Sequence, residues 1–452
     1  MPPGAYGEVT LIYAWFAIFN VFLAYGLETA FFRFYNKNEN KENVVSTALL
    51  SIVFSTFSFV LLALLFHNTL AGYLNIDPRY MGYVVIILAL DALAIVPFAW
   101  LRATERPMRY AVVKIVNVGL NLGLNIYFLL LLPQWQQGGT LAFLHWMYVP
   151  DYEISYILIS NLIASGMTLL MMGRVYLRKN YVFDKILWRR MMRYGLPVMI
   201  AGFAYTINEV FDRYLLTELL PAEIAKSEMG KYSACYKLAL FMTLFATAFR
   251  LGIEPFFFSH SSTEQPQRAY AQITNYFVIL GSIILLGVVV FADVLKLIFI
   301  QNEAYWEAMA IVPLIVLASF CLGIYHNLSV WYKVTDRTRF GAYFSIAGAL
   351  ITVAVNYFFI PSIGYYASAI ATLAAYGTMM CLSYYYGRKY YPIPYNFRKI
   401  TFYLGISILL SALSFYTFNR NLVIGSLFLL VFLFLVYRME KERLKKIFLN
   451  RT

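Results

Sequence analysis

A chain of 452 residues that is 61% hydrophobic and only 13% charged lies outside the soluble globular class, which carries about 45–50% apolar and about 25% charged residues. The 36 Lys and Arg exceed the 23 Asp and Glu, giving a formal charge of +13, and the mean hydropathy is +0.65. Cys235, Cys321 and Cys381 all sit in apolar runs with no CxxC or Cys/His cluster, so a soluble enzyme, a nucleic-acid binder and a secreted disulfide scaffold are excluded.

Crossing roughly 30 Å of hydrocarbon takes about 17–25 apolar residues. In chain order the runs predict thirteen spans near 8–32, 44–66, 82–101, 109–132, 153–177, 195–217, 231–256, 269–299, 304–331, 338–360, 364–387, 399–417 and 421–438. The runs are continuous rather than alternating, and lipid accepts only helices or closed barrels, so the spans are helices. The expected class is an all-α integral membrane protein.

Lys and Arg collect on the cytoplasmic side of such proteins. With the C-terminus inside, 27 of the 36 fall in inner segments, seven of them between Arg174 and Arg193 and six between Arg438 and Arg451. The outer loops hold only Arg79, Lys226, Lys296 and Arg420, and five more lie in or beside spans: Lys114, Arg213, Lys231, Lys237 and Arg250. The basic excess therefore sets orientation, and attraction to anionic lipid explains the basic segments. Met1-Pro2-Pro3 has no basic n-region and does not read as a signal peptide.

The chain repeats itself. Gly26-Leu27-Glu28-Thr29-Ala30-Phe31-Phe32 recurs as Gly252-Ile253-Glu254-Pro255-Phe256-Phe257-Phe258, and Gly4-Ala5-Tyr6 as Gly230-Lys231-Tyr232, both at an offset of 226. Trp100-Leu101-Arg102 recurs as Trp331-Tyr332-Lys333 at an offset of 231, and Asn125 matches Asn356. An even number of helices separates the copies, which implies two homologous six-helix bundles of parallel orientation about an axis along the membrane normal. The second bundle begins with 195–217, whose counterpart would precede Met1, so the first bundle is expected to lack its first helix. The expected division is a bundle over 1–177, a basic cytoplasmic linker over 178–194, a second bundle over 195–387, and two extra helices with a basic tail over 388–452.

Several of these stretches resemble the polysaccharide-transporter branch (O-antigen flippases) of the multidrug/oligosaccharidyl-lipid/polysaccharide exporter superfamily. They are Pro3-Gly4-Ala5-Tyr6-Gly7, Gly26 to Arg33, Asp212-Arg213 with Gly230-Lys231-Tyr232-Ser233, and Asn356 to Gly364 followed by Ala367 to Tyr376. The resemblance implies translocation of undecaprenyl-diphosphate-linked oligosaccharide to the outer leaflet of a bacterial inner membrane, without a cofactor and with proton or sodium coupling. The partners it implies are that lipid-linked substrate, membrane lipids, a polysaccharide polymerase and a chain-length regulator, and no nucleic acid. Similar patterns occur in exopolysaccharide exporters and, more distantly, in lipid II flippases and cation-coupled drug exporters.

Ionisable residues in spans are costly, so each needs a reason. Lys114, Asn117, Asn121 and Asn125 are spaced +3, +4, +4, which puts one cation and three amides on one stripe of the fourth span. The stripe suits the lining of a sugar and phosphate cavity, because amides both donate and accept; the alternative is hydrogen bonding that holds the bundle together. In the sixth span, Glu209 and Arg213 are i,i+4 beside Asn208 and Asp212, which reads either as internal ion pairing or as substrate and cation handling. Arg250 and Glu254 repeat that spacing in the seventh span, and Glu28, followed by Arg33, is their mate in the first half; gating and helix-end marking stand as alternatives. Lys237 either faces the cavity or snorkels outward. Asp91, the deepest isolated acid, is a coupling candidate unless it partners Lys114.

A cation-coupled multidrug exporter is the competing transport reading, and the intramembrane cations argue against it. A membrane enzyme would need a long outer loop rich in Arg or acids; Pro133–Glu153 has no Lys or Arg and only Asp151 and Glu153 as acids. His326-Asn327 reads as packed polar residues, and Trp100 and Trp331 as interface anchors.

Overall fold

The computed structural model describes residues 1–37, 40–134, 148–177, 180–259, 266–335 and 337–449, without the side chains of 37, 251, 254–259 and 442–449. All regular structure among them is helical. The chain forms two compact units, Glu8–Thr206 with Met1, and Ile207–Thr452 with Pro2–Gly7.

The first unit holds α1 (Pro3–Ala24), α2 (Leu27–Lys37), α3 (Lys41–Leu65), α4 (His67–Leu74), α5 (Pro78–Ala103), α6 (Pro107–Ile126), α7 (Glu153–Met172) and the start of α8 (Lys185–Leu219). Local chemistry sets the boundaries. Asp77 accepts the Arg79 N–H at 2.9 Å ahead of Pro78, and Asp184 accepts from both Ile186 and Leu187 at 2.9 Å, so α5 and α8 begin with satisfied donors. Between α1 and α2 the backbone turns left-handed at Tyr25 and Gly26, with φ of 31° and 70°. Gly26 is required there twice over: its φ suits glycine, and a Cβ would stand 2.0 Å from the Gly195 carbonyl oxygen. That crossing seats α2 on a core of Leu27, Phe31, Val45, Leu49, Ile52, Val96 and Met191.

The second unit follows with α9 (Ala222–Tyr236), α10 (Leu240–Ser259), α11 (Pro266–Val290), α12 (Ala292–Phe299), α13 (Val312–Leu328), α14 (Val330–Val334), α15 (Arg339–Ile363), α16 (Tyr365–Tyr390), α17 (Phe397–Ala412) and α18 (Leu422–Leu449). Tyr270, Trp331, Phe344 and Tyr376 pack with Met379 in an aromatic-rich core of this unit. Trp331 departs from the interface-anchor reading: it is 1% exposed and its indole N–H donates to the Ser383 carbonyl at 3.0 Å. Gly387, where a Cβ would meet the indole at 2.9 Å, makes room for it.

Eleven helices among the described residues are long and apolar enough to cross a membrane. The two remaining runs of the sequence reading, 195–217 and 364–387, lie in α8 and α16, which are full helices of 35 and 26 residues. Both are more polar, because α8 carries Asn208, Glu209, Asp212 and Arg213 and α16 carries seven Tyr. The helical membrane class stands, and the count of thirteen is not fixed by the structure. Residues 185–194 of the basic linker are the first turns of α8.

Candidate functional site

A cavity of about 540 Å³ opens inside the first unit among α1, α2, α5, α6, α7 and α8. Lys114 and Asn117 reach it from α6, Asp91 from α5, Asn20 from α1, and Glu28 and Thr29 from α2; Asn161, Ser165 and Thr168 line it from α7. The Lys114 ammonium stands 4.5 Å from the centroid of the Phe98 ring, a contact that holds a cation without neutralising it. Ser165 donates to Asp91 Oδ1 at 2.7 Å, and the Asn117 amide donates to Thr168 Oγ1 at 2.9 Å. Glu28 pairs with Arg102 of α5, not with Arg33, whose guanidinium lies 4.3 Å over the Tyr194 ring.

The charge on this lining differs from the cationic surface the sequence suggested. One Lys faces two carboxylates, Asp91 and Glu28, amid amides and hydroxyls. Sequence reasoning passed over Asn161, Ser165 and Thr168, although their +4, +3 spacing is as much a helical stripe as that of α6. It also passed over Asn20, an isolated amide that carries no such pattern.

Asn121 and Asn125 are not on that lining. Asn125 donates to its neighbour's Oδ1 at 2.6 Å and to the Asn121 carbonyl at 2.9 Å, so this end of the stripe bonds to itself.

The polar residues of α8 beyond 206 are built into the second unit. Asp212 is 2% exposed, accepts the Tyr232 hydroxyl at 2.6 Å and pairs with Arg213 at 3.1 Å. Arg213 also donates to the Glu209 carbonyl at 2.5 Å and lies 5.1 Å from the Tyr236 ring. The Glu209 carboxylate accepts from Tyr376. Asn208 donates to the Ser345 carbonyl at 3.0 Å and accepts from Thr352 at 3.0 Å. These are the distances of an interhelical framework in which every charge has a partner.

Lys237 is exposed and caps the Tyr6 ring at 4.4 Å. Arg250 lies half-buried on α10. The Glu254 side chain falls outside the described residues, as do most of the outer loop Pro133–Glu153 and the side chains of the basic tail from 442.

The repeat register sharpens the contrast between the units. At an offset of 231, Lys114, Asn117, Asn121 and Asn125 correspond to Ser345, Gly348, Thr352 and Asn356. In the second unit this stripe is buried beneath Asn208, with Gly348 leaving room for its amide. In the first unit the equivalent positions 114 and 117 carry a cation and an amide and face the cavity. The structure thus separates a filled stripe from an open one.

A family model described as polysaccharide biosynthesis protein matches residues 1–251, and one described as MatE matches residues 196–358. Among solved structures the chain is similar to the lipid II flippase MurJ in an inward closed conformation, with a TM-score of 0.71, 14% identity and 96% of each chain covered. It is also similar to an inward-facing multidrug resistance MATE family transporter of the MOP superfamily, with a TM-score of 0.65 and 12% identity over 86% of this chain and 90% of that one. A MOP superfamily transporter from Pyrococcus furiosus aligns at a TM-score of 0.54 with 14% identity, over 85% and 87% of the two chains. No curated protein sequence matches. At these identities the solved structures establish a shared fold.

Proposed function

The chain belongs to the polysaccharide biosynthesis protein family, and from that premise we propose that it is a membrane transporter of the MOP superfamily that flips undecaprenyl-diphosphate-linked oligosaccharide across a bacterial inner membrane. The load enters from the cytoplasmic leaflet and leaves to the outer one by alternating access, and the C-terminus is cytoplasmic. The observation that carries the reading is the open stripe of the first unit: Lys114 and Asn117 share one cavity with Asn20, Asn161 and Ser165. A diphosphate leaving water needs a fixed cation, which Lys114 supplies against Phe98. Sugar hydroxyls need groups that donate and accept together, which the amides and hydroxyls supply. Proton or sodium coupling falls to Asp91, whose carboxylate faces the same cavity and whose bond to Ser165 a bound cation would disrupt. A polymerase and a chain-length regulator would act on the delivered unit.

One observation favours a second reading, a cation-coupled multidrug exporter: two carboxylates, Asp91 and Glu28, share the lining with a single Lys. One experiment separates the two. Proteoliposomes of the whole chain are given a fluorescent polyprenyl-diphosphate saccharide in one arm and a lipophilic cationic dye in the other. Glycan flipping that is lost in Lys114→Ala at unchanged protein level supports the flippase. Retained flipping in that variant removes Lys114 from the mechanism, and transport of the dye alone replaces the flippase by the exporter.

A further inference from the structure

A second cavity of the first unit, about 900 Å³, shares no lining residue with the transport cavity. Its walls are Leu50 and Phe54 of α3, Phe183, and Trp188, Met192 and Leu196 of α8. The polar groups at its floor are turned onto one another. The Tyr25 and Ser51 hydroxyls are 2.8 Å apart, Ser55 donates to Tyr25 at 3.4 Å, and the Trp188 indole donates to Ser51 at 2.9 Å. What remains toward the opening is apolar, except for one charged lining residue, Lys185.

Two features of this groove specify an occupant. The first is its charge. Lys185, Arg189 and Arg193 follow one another at i+4 along the exposed face of α8, and the neighbouring carboxylate, Asp184, is engaged by the N–H groups of Ile186 and Leu187. The second is its depth. Lys185 and Leu196 lie on the same helix about 16 Å apart at 1.5 Å per residue, which is one leaflet of a hydrocarbon core of roughly 30 Å. A cation at the interface end above an apolar slot one leaflet deep matches a phosphate ester carrying an acyl chain. A polyprenyl tail is several times longer than the slot.

We propose that this groove is a binding site for an anionic phospholipid of the leaflet on the basic side. The phosphate sits on Lys185 and one acyl chain lies along Phe54, Trp188 and Leu196. The site is independent of what the transporter carries, and it ties the α3–α8 face to the charge of the surrounding leaflet.

The test uses the full chain, purified in detergent and titrated with phosphatidylglycerol or phosphatidylcholine under native mass spectrometry. Phosphatidylglycerol is expected to remain bound where phosphatidylcholine leaves. Lys185→Ala, an exposed position, is expected to weaken its retention about fivefold, the worth of one cation near an anionic surface. Ser55→Trp, which fills the floor, is expected to abolish it. Equal retention of both lipids, or unchanged retention in Lys185→Ala, overturns the proposal. So does a polyprenyl phosphate that displaces phosphatidylglycerol at equimolar amounts, which would assign the groove to the isoprenoid tail. If Ser55→Trp fails to fold, Phe54→Ala serves as the second variant, with a lower affinity expected for both lipids and the anionic preference intact.

Discussion

Asn125 and Asn356, 231 positions apart, do the same thing on their own helices: each amide nitrogen donates to the carbonyl four residues back, Asn121 at 2.9 Å and Thr352 at 2.8 Å. The repeat therefore survives at the level of single hydrogen bonds. The two diverge in their surroundings. Asn356 Oδ1 accepts from Ser368 at 2.7 Å, and Thr352 bonds Asn208. In the first unit Asn121 and Asn125 bond each other.

Asn208 should matter for stability where Asn121 does not. Asn208→Ala removes bonds to Ser345 and Thr352 and is expected to cost about 1–2 kcal/mol, near the upper end for interhelical bonds in lipid. Asn121→Ala is expected to cost well under half of that, since its partner sits on the same helix. Thermal unfolding of the two variants in the same detergent ranks them, and an equal loss would contradict the division into a filled and an open stripe.

The glycines of the repeated Gly-x-Glu segment should respond oppositely to alanine. Gly26→Ala places a Cβ 2.0 Å from the Gly195 carbonyl at a φ of +70° and is expected to lower stability by more than the roughly 1–2 kcal/mol of the left-handed backbone alone. Gly252 sits inside α10 with no atom within 4 Å of a built Cβ, so Gly252→Ala is expected to stabilise by about 0.5–1 kcal/mol. Melting midpoints of the two proteins settle the sign of each.

Asp212 and Arg213 should behave as a unit. Removing either alone leaves the other charge buried without its partner, an expected loss of about 3–5 kcal/mol. The double variant Asp212→Ala/Arg213→Ala should lose clearly less than the two single losses added together. Tyr232→Phe deletes the 2.6 Å bond to Asp212 and is expected to cost about 1–3 kcal/mol with transport retained. Denaturant or thermal unfolding of the cycle measures the coupling, and additive losses would argue against the pair.

Asp91 is the test of energy coupling. In proteoliposomes Asp91→Asn is expected to slow uphill transport and to remove its dependence on an imposed proton or sodium gradient. Ser165→Ala, which deletes only the 2.7 Å bond to Asp91, should keep that dependence with a lesser loss of rate. Normal, gradient-dependent transport by Asp91→Asn excludes coupling through this carboxylate.

The sequence by itself determined the helical membrane class, the family and the repeat. Each of these rests on periodicity, composition or residue order, which are properties of one chain read locally. It also located the charged residues of the candidate site, Lys114, Asp91 and Glu28, because a cation or acid in an apolar run is conspicuous wherever it points. The structure decided what those residues face. Lys114, Asn117, Asn121 and Asn125 form one stripe by spacing, yet only the first two reach the cavity. Glu209, Asp212 and Arg213 read equally as substrate ligands or as a brace. The buried Tyr232 and Tyr376, which lie 20 and 167 residues away along the chain, hydrogen-bond Asp212 and Glu209, the contacts expected of a brace. The acids that balance Lys114 came from other helices, and hydropathy alone could not reveal that balance. Helical spacing fixes direction around one axis, whereas cavity, partner and net charge of a site depend on which neighbouring helices close over it.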